Sequence, residues 1–283
     1  MTHLERDKFV PGDIIFSDTN ALKTTDGTDT HNIAGIATQS GYVEGVGTLA
    51  RLYFITSFLQ LSTDRVLITD WGNHCVRSLD RKTNETMAYV GNCTNSGNKY
   101  GTDALLTYPR KIIVDIKNPT CLLLAEYGGI IKSVKIANGN VSYFGSIVDY
   151  NLFNMIQEKD TGDLFVTFLH GVGLLDYQTR EFSVIAGSGQ LGFNDGSFNQ
   201  MQFHIPLAIK FLNSHTLLVS DFDNNRLRVL DLITNMSSSI CSGYGQADGD
   251  FSTCSLASPL GMQILNETLY IGTYQHIISI KGE

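Results

Sequence analysis

The residues of this chain whose types could do chemistry are its histidines, carboxylates, cysteines and asparagines. Seven histidines (His3, His31, His74, His170, His204, His215 and His276) are the candidates for a zinc centre. Zinc needs three ligands converging from equivalent positions, and these histidines do not recur at matching places along the chain. His204 stands before an apolar run, PLAIKFL (206–212), with no second ligand beside it. No Gly-x-Ser-x-Gly elbow, His-Glu-x-x-His helix or phosphate-binding loop occurs. Without a convergent acid–base or metal cluster the sequence weighs against an enzyme, and no catalytic, cofactor-binding or metal-ligating residue is assigned.

Three other sets carry more. Asn-x-Ser/Thr acceptors for N-glycans occur at Asn84, Asn92, Asn140, Asn235 and Asn266. Five cysteines include two pairs with bridge spacing. Cys75 and Cys93 lie equidistant from the turn KTNE (82–85), so an antiparallel hairpin brings them face to face. Cys241 and Cys254 bracket a glycine-rich stretch that a bridge would staple, and Cys121 is left as a free core thiol. Without a Cys-x-x-Cys pair, a metal site of cysteines is not expected. Finally, carboxylates sit in or beside turn-like segments: Asp18, Glu44, Asp70, Asp103, Asp195, Asp221, Asp223, Asp248 and Asp250.

What positions these residues is a repeat. VLITDWGNHCVRSLD (66–80) and LLVSDFDNNRLRVLD (217–231) share one plan: apolar strand, Asp, a turn containing Asn, a second strand with Arg, and a closing Leu-Asp. Asp70 matches Asp221, Asn73 matches Asn224, and Arg77 matches Arg228. Strand-then-Gly endings return at Gly35, Gly91, Gly145, Gly187 and Gly243, and glycine-rich links follow at 41–47, 192–198 and 245–251. Weaker copies begin at Ile14, Leu122, Asp163 and Thr268, making six units. A period of this length marks a solenoid, propeller or array. Within units, apolar runs of four to seven residues alternate with Gly, Asn, Asp and Ser turns, and no helical period is sustained. The expectation is an all-β, six-bladed β-propeller with four-stranded antiparallel blades. Blades are expected at about 1–35, 36–91, 92–145, 146–187, 188–243 and 244–283 in a single domain. The last blade is short of a strand and the first begins near its second strand, and the segment 2–10 is expected to supply one of these two missing strands but not both.

The tract IAGSGQLGFNDGSFNQMQFHIPLAIKFLNSHTLLVSDFDNNRLRVL (185–230) and the octet DWGNHCVR (70–77) resemble the NHL-repeat family of propellers. The third and fourth units depart from the pattern, with Glu126 in place of the Asp and Phe168 where an acid is expected. The resemblance implies a fold and a habit of binding, since such propellers include protein and RNA scaffolds, extracellular receptor modules and, among relatives, lyases and hydrolases. It also gives His74 a structural turn slot. Fold alone does not choose among these functions.

Net charge is −8, which argues against nucleic acid, whose phosphates need clustered Lys and Arg. No apolar run is long enough to span a bilayer. The opening residues carry no signal-peptide core, so the chain taken as complete would be cytoplasmic. The cysteine pairs and sequons point instead to an extracellular domain or an ectodomain fragment. Asn84, Asn140 and Asn235 fall in third-to-fourth-strand turns and Asn266 in a first-to-second-strand turn, all on one face, whereas Asn92 lies toward the other. The opposite face, made of second-to-third-strand turns and links, is left for a partner. Asp70 and Asp221 are read as turn caps, Asn73 and Asn224 as left-handed turn residues, and Arg77 and Arg228 as partners of those acids. That leaves Asp195, Asp223, Asp248 and Asp250 to bind a cationic protein. The function expected is a protein-interaction or ligand-binding module needing no cofactor, with calcium the one ion left open. The alternatives are a Ca- or Zn-dependent lyase or hydrolase working in the central channel, or a cytosolic scaffold.

Overall fold

The computed structural model describes residues 4–6, 14–26, 28–147, 149–241, 245, 250, 254–265, 268–273 and 276–281. They belong to two compact units, Met1–Asp149 and Tyr150–Glu283. Among the described residues every regular element is a strand, apart from single 3-10 turns at Gly47–Leu49, Trp71–Asn73 and Phe222–Asn224.

The first unit holds three sheets. Strands β1 (Leu4–Arg6), β2 (Ile14–Asp18), β3 (Ala21–Thr25) and β4 (Thr30–Gly35) form an antiparallel meander. Next come β5 (Gly45–Val46), β6 (Ile55–Ser62), β7 (Arg65–Asp70), β8 (Cys75–Asp80) and β9 (Glu85–Val90), paired in the order β5-β9-β8-β7-β6. The third meander is β10 (Pro109–Val114), β11 (Cys121–Glu126), β12 (Ile130–Lys135) and β13 (Val141–Ser146). The second unit repeats the scheme. Its first sheet is β14 (Leu152–Gln157), β15 (Leu164–Phe168), β16 (Gly171–Leu175) and β17 (Phe182–Ala186). Then follow β18 (Gly196–Ser197), β19 (Pro206–Asn213), β20 (Thr216–Asp221), β21 (Arg226–Asp231) and β22 (Met236–Ile240), in the order β18-β22-β21-β20-β19. The last sheet is β23 (Gly261–Leu265), β24 (Thr268–Gly272) and β25 (Ile277–Lys281). These are the six blades of an all-β propeller.

Burial explains the strand sequences. Five of the six residues of β7 are buried, because this second strand packs a blade on each face, Val66 and Ile68 toward blade one and Leu67 toward blade three, and so reads as a near-continuous apolar run. The outer strand β9 is mixed, with Thr86 and Val90 buried and Glu85, Met87 and Ala88 exposed, as befits a half-solvated strand. Apolar layers fill the spaces between consecutive blades of each unit. Ile15, Leu22, Ile55, Phe58, Val66 and Ile68 join blades one and two. Val172, Phe203, Ile209 and Leu217 join blades four and five.

Innermost strands carry a recurring bulge, at Ile55/Ser57 in β6, Pro109/Lys111 in β10, Leu152/Asn154 in β14 and Pro206/Ile209 in β19. A bulge leaves an N–H outside the ladder, which must find another acceptor. Thr69 Oγ1 accepts from Ser57 N at 2.7 Å, and Ser220 Oγ accepts from Ala208 N at 2.8 Å. The hydroxyls of second strands therefore complete first strands. Blade-ending glycines have a steric cause. A Cβ on Gly35 would lie 2.3 Å from the Asn20 carbonyl oxygen, and one on Gly187 would lie 2.5 Å from that of His170. Both sit at positive φ, 76° and 113°.

Two details depart from the four-strand plan and a third completes it. The links before blades two and five run along the outer edge as fifth strands, β5 on β9 and β18 on β22, covering edges that would otherwise be open. Blade six has three strands among the described residues. The amino-terminal segment pairs with β2, matching Leu4 to Phe16 and Arg6 to Ile14, so it supplies the innermost strand of the first blade.

Candidate functional site

The turn between β7 and β8 is built around a fully buried carboxylate. Asp70 Oδ1 accepts from Tyr53 N at 2.7 Å, while Oδ2 accepts from Asn73 Nδ2 at 2.9 Å and Arg77 Nη1 at 3.2 Å. Asp70 thus ties the start of the blade to its middle and does not cap its own turn, which has no side-chain cap. The left-handed residue is His74 (φ 57°), one place beyond Asn73, so the expectation for Asn73 is corrected. Asn73 spends its amide on Asp70 and on the Gly41 carbonyl, at 2.8 Å. Burial pushes the Asp70 carboxyl up to about 6, against the pull of its three donors.

Blade five repeats this network. Asp221 accepts from His204 N (2.8 Å), Asn224 Nδ2 (2.8 Å) and Arg228 Nη1 (2.9 Å). Its left-handed residue is Asn225 (φ 53°) and not Asn224. Burial raises its carboxyl too. In blade three Glu126 takes the role with a different partner: Oε1 accepts from Thr107 N and from Lys132 Nζ, both at 2.8 Å. In blade four the slot is apolar, and Phe168 packs on Tyr150 with ring centroids 4.4 Å apart.

The two strong copies part at their links. Asp195 Oδ1 lies 2.8 Å from Arg228 Nη2 and 3.1 Å from Nε, closing that guanidinium with a second carboxylate. Glu44 occupies the same place in the blade-two link. Its longer side chain passes Arg77 and accepts from Ala88 N at 2.8 Å and Tyr42 Oη at 3.2 Å. Arg77 Nε is left buried without a partner. An unsatisfied buried donor is costly, so Glu44→Asp is expected to stabilise the protein by about 1 kcal/mol. Urea unfolding of the variant checks this, and an unchanged or lower midpoint would refute it.

Among the acids expected to bind a partner, Asp195 is therefore engaged in the fold. The link carries it down the blade's outer edge, where Phe198 N donates to the Asn235 carbonyl at 3.0 Å. Gly47 N reaches the Asn84 carbonyl in the same way at 2.9 Å. The links of blades two and five thus extend to the sequon turns. Asp223 stays at the second-to-third-strand turn, with Oδ2 3.1 Å from His204 Nε2 and both side chains about one-third exposed. This is where the structure places His204. Asp250 is half-buried, and its carbonyl accepts from Cys254 N at 3.0 Å. Asp248 lies outside the described residues.

Both cysteine pairs are bonded. Cys75 opens β8 and Cys93 follows β9, with Cα atoms 5.0 Å apart; Cys241 and Cys254 are 4.7 Å apart, and Cys121 is a buried free thiol. Asn84, Asn140 and Asn235 occupy third-to-fourth-strand turns, with Asn235 the most open of the three. Asn266 lies outside the described residues. Sequence reasoning passed over a group of rings at Tyr53, Phe54, Trp71, His74 and Tyr108. The signal was present in the lone tryptophan at a turn position.

No family model and no curated protein matches the chain. Solved structures do match it. An auxiliary nutrient binding protein from Bacteroides thetaiotaomicron aligns at 12% identity with a TM-score of 0.69, covering 96% of this chain and 66% of the other. A protein of the same description from Bacteroides ovatus gives 12%, 0.71, 96% and 66%. A chain in a nidogen/laminin complex gives 12% identity and a TM-score of 0.62, covering 99% of this chain and 89% of that one. This chain thus spans just under two thirds of the length of the two nutrient-binding proteins. At such identities the likeness concerns the fold, and it extends over nearly all of this chain.

Proposed function

We propose that this chain is an NHL-like, single-domain propeller module that binds a protein partner outside the cell. The partner is cationic and is met by the second-to-third-strand turns and the links of Tyr150–Glu283. The observation that carries this is the division of charge. Met1–Asp149 contains 15 acidic and 14 basic residues, whereas Tyr150–Glu283 contains 13 acidic and only 6 basic. Nearly all of the excess negative charge belongs to one unit, where it would steer a positive surface. Asp195 is held by Arg228, so in this reading recognition falls to Asp223, which also meets His204, together with Asp248 and Asp250. Exposed Leu191 and Phe193, at 57% and 59%, add apolar contact in the same unit.

Two further facts support an extracellular setting. Both disulfides are of the kind that persists in oxidising compartments. Similar folds are found in proteins described as nutrient-binding, as the extracellular domain of a putative hybrid two-component system, and in a complex with laminin. Glycans at Asn84, Asn140, Asn235 and Asn266 would cover the sequon turns and leave the other strand ends free. In this reading the binding uses no cofactor, with calcium the one ion left open. Non-reducing peptide mapping of protein secreted from eukaryotic cells tests the setting. Crosslinked Cys75–Cys93 and Cys241–Cys254 peptides with glycan on at least two of these asparagines are expected. Free thiols with unmodified asparagines would place the module inside the cell.

A further inference from the structure

In blades two, three and five the chain pairs its own entry link with the outer strand, always at one register position. Leu79, Val134 and Leu230 of the third strands pair with Thr86, Val141 and Ser237 of the fourth. Those three residues pair on their far side with Gly45, Gly101 and Gly196 of the links, each time antiparallel. Val141 shows the geometry: its N donates to the Gly101 carbonyl at 3.0 Å and its carbonyl accepts from Gly101 N at 2.8 Å. Ala88, two residues beyond Thr86, likewise donates outward from N to the Glu44 carboxylate of the link at 2.8 Å. Buried cations hold the links down. Arg77 donates to the carbonyls of Val43 and Arg51, Arg228 to those of Asn194 and Gln202, and Lys132 to that of Leu105.

Blade four has the same outer strand without the link. Leu175 pairs with Phe182, which therefore stands where Thr86, Val141 and Ser237 stand. Its entry link is residues 147–151, against 36–54, 91–108 and 187–205 in blades two, three and five. A link of that length reaches at most about 17 Å. A chain lying beyond β17 must cross four strand spacings, about 19 Å, to enter β14. The cation is gone as well. Gly173 takes the register position of Arg77, and a Cβ there would come within 2.2 Å of the Phe182 ring. No described residue pairs with β17 on its far side. By correspondence with Val141 and Ala88, the N–H groups of Phe182 and Val184 point outward there. The strand, FSVIA, carries no charge, the usual guard of an open edge, and Val184 is 44% exposed.

The geometry points to β17 as a docking edge for an extended segment of a partner protein, which adds the fifth strand that this blade does not make for itself. The links of the other blades define what fits. A segment running as β5 and β18 do is antiparallel to its outer strand, so each of its residues has an assigned neighbour. The residue facing Phe182 and the one two places before it share a face with Phe182 and Val184, so both are apolar. The residue between them faces Ser183 and is polar. The residue that follows faces Glu181, as Val46 faces Glu85 in blade two. Glu181 is exposed, and Arg180 beside it is turned back onto Tyr177, donating to its carbonyl and lying over its ring. A basic residue therefore suits that place. From its amino end the segment reads apolar, polar, apolar, basic. Main-chain bonds supply affinity in such a pairing, and the alternating side chains supply selectivity. The edge belongs to blade four and does not depend on recognition by Asp223 or Asp250.

Residue-resolved amide hydrogen exchange on the full chain tests the assignment. The probe is a capped eight-residue peptide, Ser-Gly-Val-Thr-Val-Lys-Gly-Ser, beside one with proline in place of the second valine. At saturation with the first, exchange at Phe182 and Val184 is expected to slow at least tenfold. The proline peptide has no N–H to offer the Phe182 carbonyl and should bind at least tenfold more weakly. Val184→Pro, which removes one outward N–H of the protein, should weaken the valine peptide by as much. Glu181→Lys should weaken it several-fold, and a peptide with glutamate in place of lysine should regain that loss. This exchange of charges lies on the surface and serves if Val184→Pro does not fold. Unchanged exchange along β17, equal binding of the proline peptide, or indifference to the charge exchange would overturn the assignment. Protection of β17 that rises with protein concentration in the absence of peptide would give the edge to a second copy of the chain and overturn it too.

Discussion

Asp70→Ala is expected to destabilise the protein by about 3–5 kcal/mol, the loss typical when one member of a buried ion pair is removed. Arg77 is fully buried, and Asp70 is its sole carboxylate partner among the described residues. Its Nε is already unsatisfied, so the variant leaves a desolvated guanidinium held by two carbonyls, those of Arg51 and Val43. Tyr53 N loses its acceptor as well. The equivalent Asp221→Ala should cost less, about 2–3 kcal/mol, because Asp195 still neutralises Arg228. Urea unfolding of the two variants checks the order, and equal losses would refute it. The native pair need not itself be stabilising. Burial holds the Asp70 carboxyl up at about 6, above its unfolded value near 4, so the folded state binds that proton more tightly. This group's contribution is therefore fully present below the unfolded value and is lost as pH rises through the folded one. Asp70→Ala removes that pH dependence along with the charge.

Asp195→Ala is the second large effect expected, a loss of about 2–3 kcal/mol for a charge-assisted contact made at two nitrogens of a buried guanidinium. Asp195 was legible as a link carboxylate and reads as a free one. The structure shows that it belongs to the same network as Asp221 and Arg228. Asp223→Ala, by contrast, removes only a partly exposed contact with His204 and should change stability by less than about 1 kcal/mol. Thermal or urea unfolding separates the two aspartates. A silent Asp195→Ala would mean that the Arg228 contact contributes nothing and would return Asp195 to the recognition surface.

The repeat made the blades legible because each strand–Asp–turn–Arg copy must bury the same groups in the same way. Hairpin symmetry made the Cys75–Cys93 pair legible for a similar reason: antiparallel register turns sequence distance into spatial distance. Other features escaped for identifiable causes. Glu44 and Asp195 align in sequence, yet one methylene sends the first to an outer-strand amide and the second to a guanidinium. The fifth strands β5 and β18 are only two residues long, too short for any alternation to register. The left-handed positions fell on His74 and Asn225 although the repeat drew attention to the conserved spacing of Asn73 and Asn224, which use their amides for Asp70 and Asp221. The ring contacts around Trp71 escaped notice because matching the two copies highlights what they share, and these rings are what they do not.

Association of the chain with a lysine-rich 20-residue peptide, followed as rate against ionic strength, tests the central claim most directly. It compares wild type with Asp223→Lys and with Asp223→Lys/Asp250→Lys, each first shown to keep its unfolding midpoint. Steering by the acidic unit predicts an association rate that falls steeply with salt. It also predicts affinity at least tenfold weaker in the double variant. A rate indifferent to salt, or an affinity that survives both reversals, would contradict recognition of a cationic partner by this turn and link.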